Sequence, residues 1–99
     1  MPINIFYNNA SNETLASLCD GEWELCAQMY TLEKWLIDNH SELCKSEYIA
    51  DIGFCSREFD EGSGIGGGGV LTTQMIKILD RIGMEIYFSE YPAHDIVLK

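Results

Sequence analysis

The most recognisable spacing in the chain is that of the glycines between positions 56 and 69. Residues 62–67 fit the pattern G-x-G-x-x-G, and residues 64–69 fit it again, between a predicted strand and a predicted helix. Backbone N–H groups at the start of such a helix can hold the phosphates of a nucleotide. In a run this rich in glycine, however, the pattern arises almost automatically, no Gly-Lys-Ser/Thr follows it, and the neighbouring acidic side chains would repel phosphates. We therefore predict a flexible connection, with a small nucleotide-binding module as an alternative.

Two histidines are candidates for metal binding or catalysis. His40 and Cys44 stand four residues apart on a predicted helix, but a structural metal site needs four ligands, and no others occur at a recognisable spacing. His94 and Asp95 could act as a general base and its orienting acid. The chain contains no G-x-S-x-G, H-E-x-x-H or paired-carboxylate signature. We therefore predict no enzymatic activity, no metal and no cofactor.

Acidic side chains surround an aromatic ring in two short segments. The first segment contains Asp20, Glu22, Trp23 and Glu24, and the second contains Glu58, Phe59, Asp60 and Glu61. A large ring among charges of one sign is typical of a protein–protein contact, in which the partner buries the ring and the charges attract the partner. Phe59 lies in a polar, glycine-rich segment, so we predict residues 58–61 as the first partner-binding site and residues 20–24 as the second. Trp23 could instead belong to the core.

The elements that would position these residues follow from hydrophobic periodicity and from turn residues. Residues 3–7 predict a first strand, and Ser11 or Asn12 could cap a helix over 14–19. Residues 22–45 are ambiguous. We prefer a strand over 22–29 followed by a helix that Thr31 caps, and one continuous helix from Trp23 onward is the alternative.

The second half of the chain gives a clearer pattern. Residues 48–55 predict a strand, and Thr72 or Thr73 is expected to cap a helix that ends at Gly83. The apolar face of this helix would consist of Met75, Ile76, Leu79 and Ile82. Residues 84–91 predict the last strand. The predicted fold is a single domain over 1–99 of the α+β or α/β class, a single-layer sheet of about four strands covered by two to three helices, with the long glycine-rich loop before the last helix.

The charge of the chain narrows the choice of partners. Sixteen Asp and Glu against six Lys and Arg give a net charge of −10 in 99 residues. Such a field repels the phosphates of nucleic acids and of anionic lipids, so we expect neither a nucleic acid nor a membrane as partner. A basic protein is the partner that this charge attracts.

The N-terminal residues and the cysteines bear on the compartment. The first residues lack the basic and apolar regions of a signal peptide, so we predict a cytoplasmic protein. We then expect the four cysteines to be reduced and buried, with a secreted two-disulfide scaffold as the competing interpretation. These cysteines are Cys19, Cys26, Cys44 and Cys55.

Residues 66–92 resemble the C-terminal part of small bacterial proteins in which a glycine-rich loop leads into Leu-Thr or Leu-Ser, a helix ending in Leu-Gly, and a strand ending in Tyr. Residues 31–36, followed by the strand at 48–54, are also similar. With its size and acidity, the chain resembles the immunity proteins with which bacteria neutralise their own contact-dependent growth-inhibition toxins. The resemblance implies a cytoplasmic, non-enzymatic protein that binds a cognate basic toxin domain, often a nuclease. It assigns no individual residue, because sequences of this kind diverge too far.

We therefore expect an immunity protein whose acidic surface binds a basic toxin domain. The alternative is a nucleic-acid mimic or an anti-defence protein that occupies the nucleic-acid groove of another machine, and such a protein would align its carboxylates in one stripe. A small nucleotide-binding module is the third hypothesis. The sequence makes no prediction about the oligomeric state.

Overall fold

In a computed structural model, which describes residues 2–55 and 68–91, the chain forms a four-stranded sheet with two helices. The strands are β1 (Ile3–Tyr7), β2 (Thr14–Leu18), β3 (Tyr48–Cys55) and β4 (Met84–Tyr91). The helices are α1 (Leu25–Asn39) and α2 (Thr73–Ile82), and a short 3-10 helix (His40–Glu42) follows α1. This mixed sheet with two helices confirms the predicted fold class.

The strands lie in the order β2-β1-β3-β4. β1 is antiparallel to both of its neighbours, whereas β3 and β4 are parallel and are connected through α2. The parallel pair keeps one register from Tyr48 opposite Met84 to Cys55 opposite Tyr91. The carboxyl ends of β3 and β4 therefore meet at the same end of the sheet, and β2 and β4 are the edges of the described sheet.

The core lies between one face of the sheet and the two helices. Side chains alternate between the two faces of a strand, so every second residue of β1 and β3 points towards the helices. The helices contribute the residues that are spaced three or four apart on their inner faces. The buried core residues include Ile3, Ile5, Ala50 and Ile52 from the sheet, Met29, Leu32 and Leu36 from α1, and Met75, Ile78 and Ile82 from α2.

Both ends of α2 confirm the sequence prediction. The Thr72 hydroxyl accepts a hydrogen bond from the backbone N–H of Met75 at 3.1 Å and thereby caps the helix. Gly83 ends α2 in the left-handed conformation, at φ 83°. A Cβ atom at this position would collide with the carbonyl oxygen of Ser46, so only glycine fits here. The predicted apolar face was wrong at Ile76, which is 50% exposed, because Ile78 takes its place in the core.

The predicted helix over 14–19 was wrong, because this segment is the strand β2. The reason lies in the preceding turn. The Asn9 side-chain oxygen accepts hydrogen bonds from the backbone N–H groups of Ser11 and Asn12, at 3.1 and 3.0 Å. Asn12 adopts a left-handed φ of 49°, and the chain turns back along β1 instead of entering a helix.

The preferred strand over 22–29 was also wrong, and the alternative of one continuous helix is closer to the structure. α1 begins at Leu25, so Thr31 lies inside the helix and does not cap it. The strand prediction depended on an alternation in which Gln28 faces solvent. Gln28 is fully buried, which a helix allows because residues 25, 28, 29 and 32 share one face.

The cysteines differ from the prediction. All four are free thiols, but Cys26 and Cys44 are exposed, and Cys19 and Cys55 are half-buried. The expectation of four buried cysteines was therefore wrong. Cys26 is exposed because the inner face of α1 is occupied by Gln28, Met29 and Leu32. Within residues 2–55 and 68–91, no helix is long and apolar enough to cross a membrane.

Candidate functional site

Residues 20–24, which we call the acid–aromatic turn, cross the end of the sheet where β3 and β4 terminate. They connect Cys19, which directly follows β2, to the start of α1. The backbone N–H of Cys55, at the end of β3, donates a hydrogen bond to the carbonyl oxygen of Trp23 at 2.9 Å. The N–H of Glu22 donates to the carbonyl oxygen of Cys19, also at 2.9 Å. The turn is thus held at both ends by backbone hydrogen bonds.

Gln28 fixes the same turn from the side of α1. Its Nε2 amide donates hydrogen bonds to the carbonyl oxygens of Glu22, at 2.8 Å, and Gly53, at 2.7 Å. Both partners are carbonyl oxygens, which only accept hydrogen bonds, so the end of the amide that faces them must be the nitrogen. The Gln28 side chain is fully buried, and its Oε1 atom has no hydrogen-bond partner among the described residues. One buried side chain therefore joins α1, the acid–aromatic turn and the end of β3.

Aromatic rings lie beside the turn. The Trp23 ring packs edge-to-face on Tyr91, the last residue of β4, with 5.8 Å between the ring centroids. Tyr91 in turn lies over Gly53, where an added Cβ would come within 2.9 Å of its ring. Phe54 and Phe88 form a second edge-to-face pair at 6.5 Å. Aromatic pairs of this geometry stabilise each other by about 0.5–1.5 kcal/mol beyond the area that they bury.

The carboxylates of the turn lie at the surface. Asp20 and Glu24 are exposed, and Glu22 is half-buried. The Glu22 carboxylate accepts a hydrogen bond from the backbone N–H of Glu24 at 3.1 Å, so its position is fixed by the turn itself. Carboxylates held in this way can form charge-assisted hydrogen bonds to Lys and Arg side chains of a partner. Half-buried Trp23 packs on Tyr91 and is not among the residues of the core cluster.

The structure thus brings residues 20–24, the second predicted partner-binding site, together with an aromatic pair. The first predicted partner-binding site, which consists of Glu58, Phe59, Asp60 and Glu61, lies outside the described residues, as do His94, Asp95 and residues 62–67 of the glycine run. Gly69 is described, and it packs on α1. A Cβ at Gly69 would come within 2.6 Å of the Met29 side chain and 3.3 Å of the Leu25 carbonyl oxygen. This end of the glycine run is a tight contact with α1.

Sequence reasoning missed the residues that hold the turn in place. Gln28 carried a usable signal, because it is a polar residue at a helical spacing between the apolar Leu25 and Leu32. A polar side chain in such a stripe indicates a buried hydrogen-bonding role. Nothing in the sequence near Tyr91 indicates its contact with Trp23, because that contact depends on the register of β4 on β3.

Other candidate chemistry is limited in the described part of the chain. No group of three or more His, Cys, Asp and Glu side chains among residues 2–55 and 68–91 could hold a metal ion. His40 Nδ1 lies 3.3 Å from the Arg81 guanidinium instead. A groove on the outer side of α1, beside Tyr30, Glu33 and Val70, has a volume of about 180 Å³. Pockets that enclose a small ligand usually measure about 300–1,000 Å³.

Comparisons with known proteins identify no relative. No protein-family model matches the chain, and neither a curated protein nor a solved structure matches it. The acid–aromatic turn and the net charge are therefore the observations on which a function can be proposed.

Proposed function

We propose that the chain is an immunity protein that binds a cognate basic toxin domain, such as a nuclease, and neutralises it through an acidic surface that includes the acid–aromatic turn. The observation that supports this proposal best is the attachment of the turn. Hydrogen bonds from Gln28 and Cys55 to the carbonyl oxygens of Glu22 and Trp23 hold the backbone that carries three carboxylates and the Trp23 ring at one end of the sheet. A surface already fixed in the unbound protein loses little conformational entropy when a partner binds.

The net charge of −10 supports the same partner class. A strongly acidic protein attracts a basic domain over long distances and raises the rate of association. The Trp23–Tyr91 pair supplies apolar area next to the charges, and Trp and Tyr are among the residues that contribute most to binding energy at interfaces. Residues 58–61, the first partner-binding site that the sequence predicts, remain part of the proposed contact on the grounds of their sequence.

Under this proposal the protein acts in the cytoplasm, where the toxin of a neighbouring cell arrives, and it carries out no reaction. It acts by occupying the active site or the substrate groove of the toxin. A field of −10 disfavours direct binding to nucleic acid.

The proposal predicts that the neighbouring reading frame encodes a secreted toxin, and the test uses the C-terminal domain of that toxin, purified in a catalytically inactive form. Association is measured by surface plasmon resonance at low and at physiological salt. The wild-type chain should form a stable complex, and its association rate should fall steeply as salt rises. No complex, or an association rate that is indifferent to salt, would contradict the proposal.

Two double variants with the same change in charge locate the surface. Asp20→Asn with Glu24→Gln removes two carboxylates from the turn. Glu13→Gln with Glu47→Gln removes two exposed carboxylates at the opposite end of the sheet. The first pair should raise Kd about tenfold or more, because a hydrogen bond to a charged group contributes about 1.5–3 kcal/mol. The second pair should slow association slightly and leave the dissociation rate unchanged. Equal effects of the two pairs would remove the turn from the interface.

A further inference from the structure

The two edge strands of the described sheet, β2 and β4, differ in length and in the regularity of their pairing. β2 has five residues, and a bulge between Ile5 and Phe6 interrupts its pairing with β1. Short strands and bulges are the usual means by which proteins protect an edge from pairing with other chains. β4 has eight residues, and its register on β3 is unbroken. β4 is therefore the edge that can accept another strand.

The hydrogen-bond pattern shows which backbone groups of β4 face outward. Tyr48 lies opposite Met84, and its N–H donates to the carbonyl oxygen of Gly83 at 3.2 Å. In a parallel ladder, a residue bonds to the two residues that flank its opposite number. Continuing this pattern along the strand, the residues of β4 that bond to β3 are Glu85, Tyr87, Ser89 and Tyr91. The N–H and C=O groups of Ile86, Phe88 and Glu90 point away from β3, and no described strand pairs with them.

Exposed aromatic rings flank these outward-facing groups on both faces of the sheet. Phe88 is 53% exposed on the face that carries the helices. Tyr87 is 48% exposed on the opposite face, and Tyr91, 43% exposed, lies on that face as well. Cross-strand contacts between aromatic and β-branched side chains contribute about 0.2–1 kcal/mol each. An edge strand with rings on both faces can thus contact the side chains of an added strand above and below.

The charges of β4 indicate which kind of strand can pair with this edge. Exposed Glu85 and Glu90 are its charged residues, one on each face. If two copies of this chain paired β4 with β4, two chains that each carry −10 would be brought together, and the repulsion between like charges would oppose the pairing. A strand with Lys or Arg among apolar residues has no such penalty.

We propose that β4 is a docking edge that adds an extended, basic segment of the partner protein as a fifth strand. The inference rests on the proposed function, and it names the part of the partner that binds. The outward-facing groups of Ile86, Phe88 and Glu90 supply the main-chain hydrogen bonds. The contact of Tyr91 with Trp23 makes the edge continuous with the acid–aromatic turn, so the same basic segment meets both.

The first experiment tests the edge without the toxin. The full chain, labelled with ¹⁵N, is mixed with an eight-residue peptide of alternating lysine and valine, which matches β4 in length. The amide signals of Ile86, Phe88 and Glu90 should shift and become protected from hydrogen exchange. Two control peptides should leave them unchanged: one has glutamate in place of lysine, and the other has N-methyl groups on alternate residues. Shifts confined to residues 20–24, or no change at millimolar peptide, would overturn the inference.

The second experiment separates the backbone of β4 from its side chains in the complex with the toxin domain. Phe88→Ala removes the ring but keeps the outward N–H, whereas Phe88→Pro removes both. Proline is tolerated in an edge strand where its nitrogen faces away from the sheet. Ser17→Pro is the matched control, because the register of β2 on β1 places the Ser17 N–H outward on the other edge. Circular dichroism confirms that each variant is folded.

We expect Ser17→Pro to bind the toxin domain like the wild type. Phe88→Pro should bind about tenfold more weakly than Phe88→Ala, because a tenfold change in Kd corresponds to about 1.4 kcal/mol, the contribution of one main-chain hydrogen bond. Equal binding by the two Phe88 variants would overturn the inference while leaving the proposed function intact. Absence of any complex with the wild type would instead remove the proposed function. Self-association that protects the amides of β4 at rising protein concentration would identify a second copy as the occupant and overturn the inference.

Discussion

The buried amide of Gln28 on α1 donates to the carbonyl oxygen of Gly53 on β3 at 2.7 Å, across 25 positions of sequence. The same nitrogen donates to Glu22 in the acid–aromatic turn. A helix, a strand and a surface turn are therefore joined by one side chain. Because a buried carbonyl oxygen without a partner destabilises the folded state, the geometry of the turn depends on this amide.

Replacing Gln28 with methionine, which has a similar volume, should lower the free energy of unfolding by about 1–3 kcal/mol, because the Glu22 and Gly53 carbonyl oxygens lose their donor. Urea denaturation followed by circular dichroism measures the change. Gln74→Met is the control, since Gln74 is an exposed residue of α2, and its replacement should stay within about 0.5 kcal/mol of the wild type. Equal stability of the two variants would show that the Gln28 amide does not hold the turn.

The contact of Gly69 with α1 leads to a second prediction. Gly69→Ala places a Cβ within 2.6 Å of the Met29 side chain, so residues at the start of α1 must shift. The free energy of unfolding should fall by about 1–3 kcal/mol, as for other overpacked sites.

The adjacent glycine is a matched control for this substitution. A Cβ at Gly68 meets nothing within 4 Å, and Gly68 does not have a positive φ. Gly68→Ala should therefore be neutral or stabilising by up to about 1 kcal/mol, because alanine restricts the unfolded chain. Differential scanning calorimetry of the two variants checks the prediction, and it fails if both variants melt at the same temperature.

The sequence alone predicts the second half of the fold well because its signals are local. Thr72 caps α2, Gly83 ends it, and the alternation over 84–91 marks β4. The errors lie where distant residues decide the structure. β2 forms because β1 is available as its neighbour, and the start of α1 depends on the burial of Gln28 against Gly53. Five- to eight-residue segments with mixed periodicity do not contain this information.

The candidate site, too, could be predicted from the sequence only in part. The composition of residues 20–24 was sufficient to select them, because acids around a ring are visible in the sequence. Their neighbourhood was not predictable, since Tyr91 reaches Trp23 only through the parallel pairing of β3 and β4. The outward-facing groups of β4 also follow from register, which a single residue shift would reverse.

Cys19 provides a prediction about reactivity and pH. Burial raises the pKa of its thiol, and the nearby Glu22 carboxylate acts in the same direction, against a hydrogen bond with Thr31 that lowers it. Because the thiolate is the reactive form, iodoacetamide at pH 8 should modify exposed Cys26 and Cys44 well before Cys19 in the folded protein. Mass spectrometry of timed samples measures the order, and unfolded protein, in which the order should disappear, is the control.

The same shift makes stability depend on pH. The pKa of Cys19 is higher in the folded than in the unfolded state, so the unfolded chain ionises first as the pH rises. The contribution of the Cys19 thiol to the free energy of unfolding should therefore stay constant below its unfolded-state pKa of about 8.5. Above that pH, the free energy of unfolding should fall. Cys19→Ala should show a smaller loss between pH 7 and pH 10 than the wild type. An identical loss in both proteins would contradict the raised pKa.

Hydrogen exchange tests the orientation of the β4 edge in the unbound protein. The amides of Glu85, Tyr87 and Ser89 bond to β3 and should exchange slowly, whereas those of Ile86, Phe88 and Glu90 face outward and should exchange quickly. NMR-detected exchange at neutral pH resolves the two sets as an alternation along the strand. On the other edge, the Ser17 amide should exchange quickly and the Ala16 amide slowly, which serves as an internal control. Uniform protection along β4 would mean that its outward groups are already paired, and the docking edge would then be closed to a partner strand.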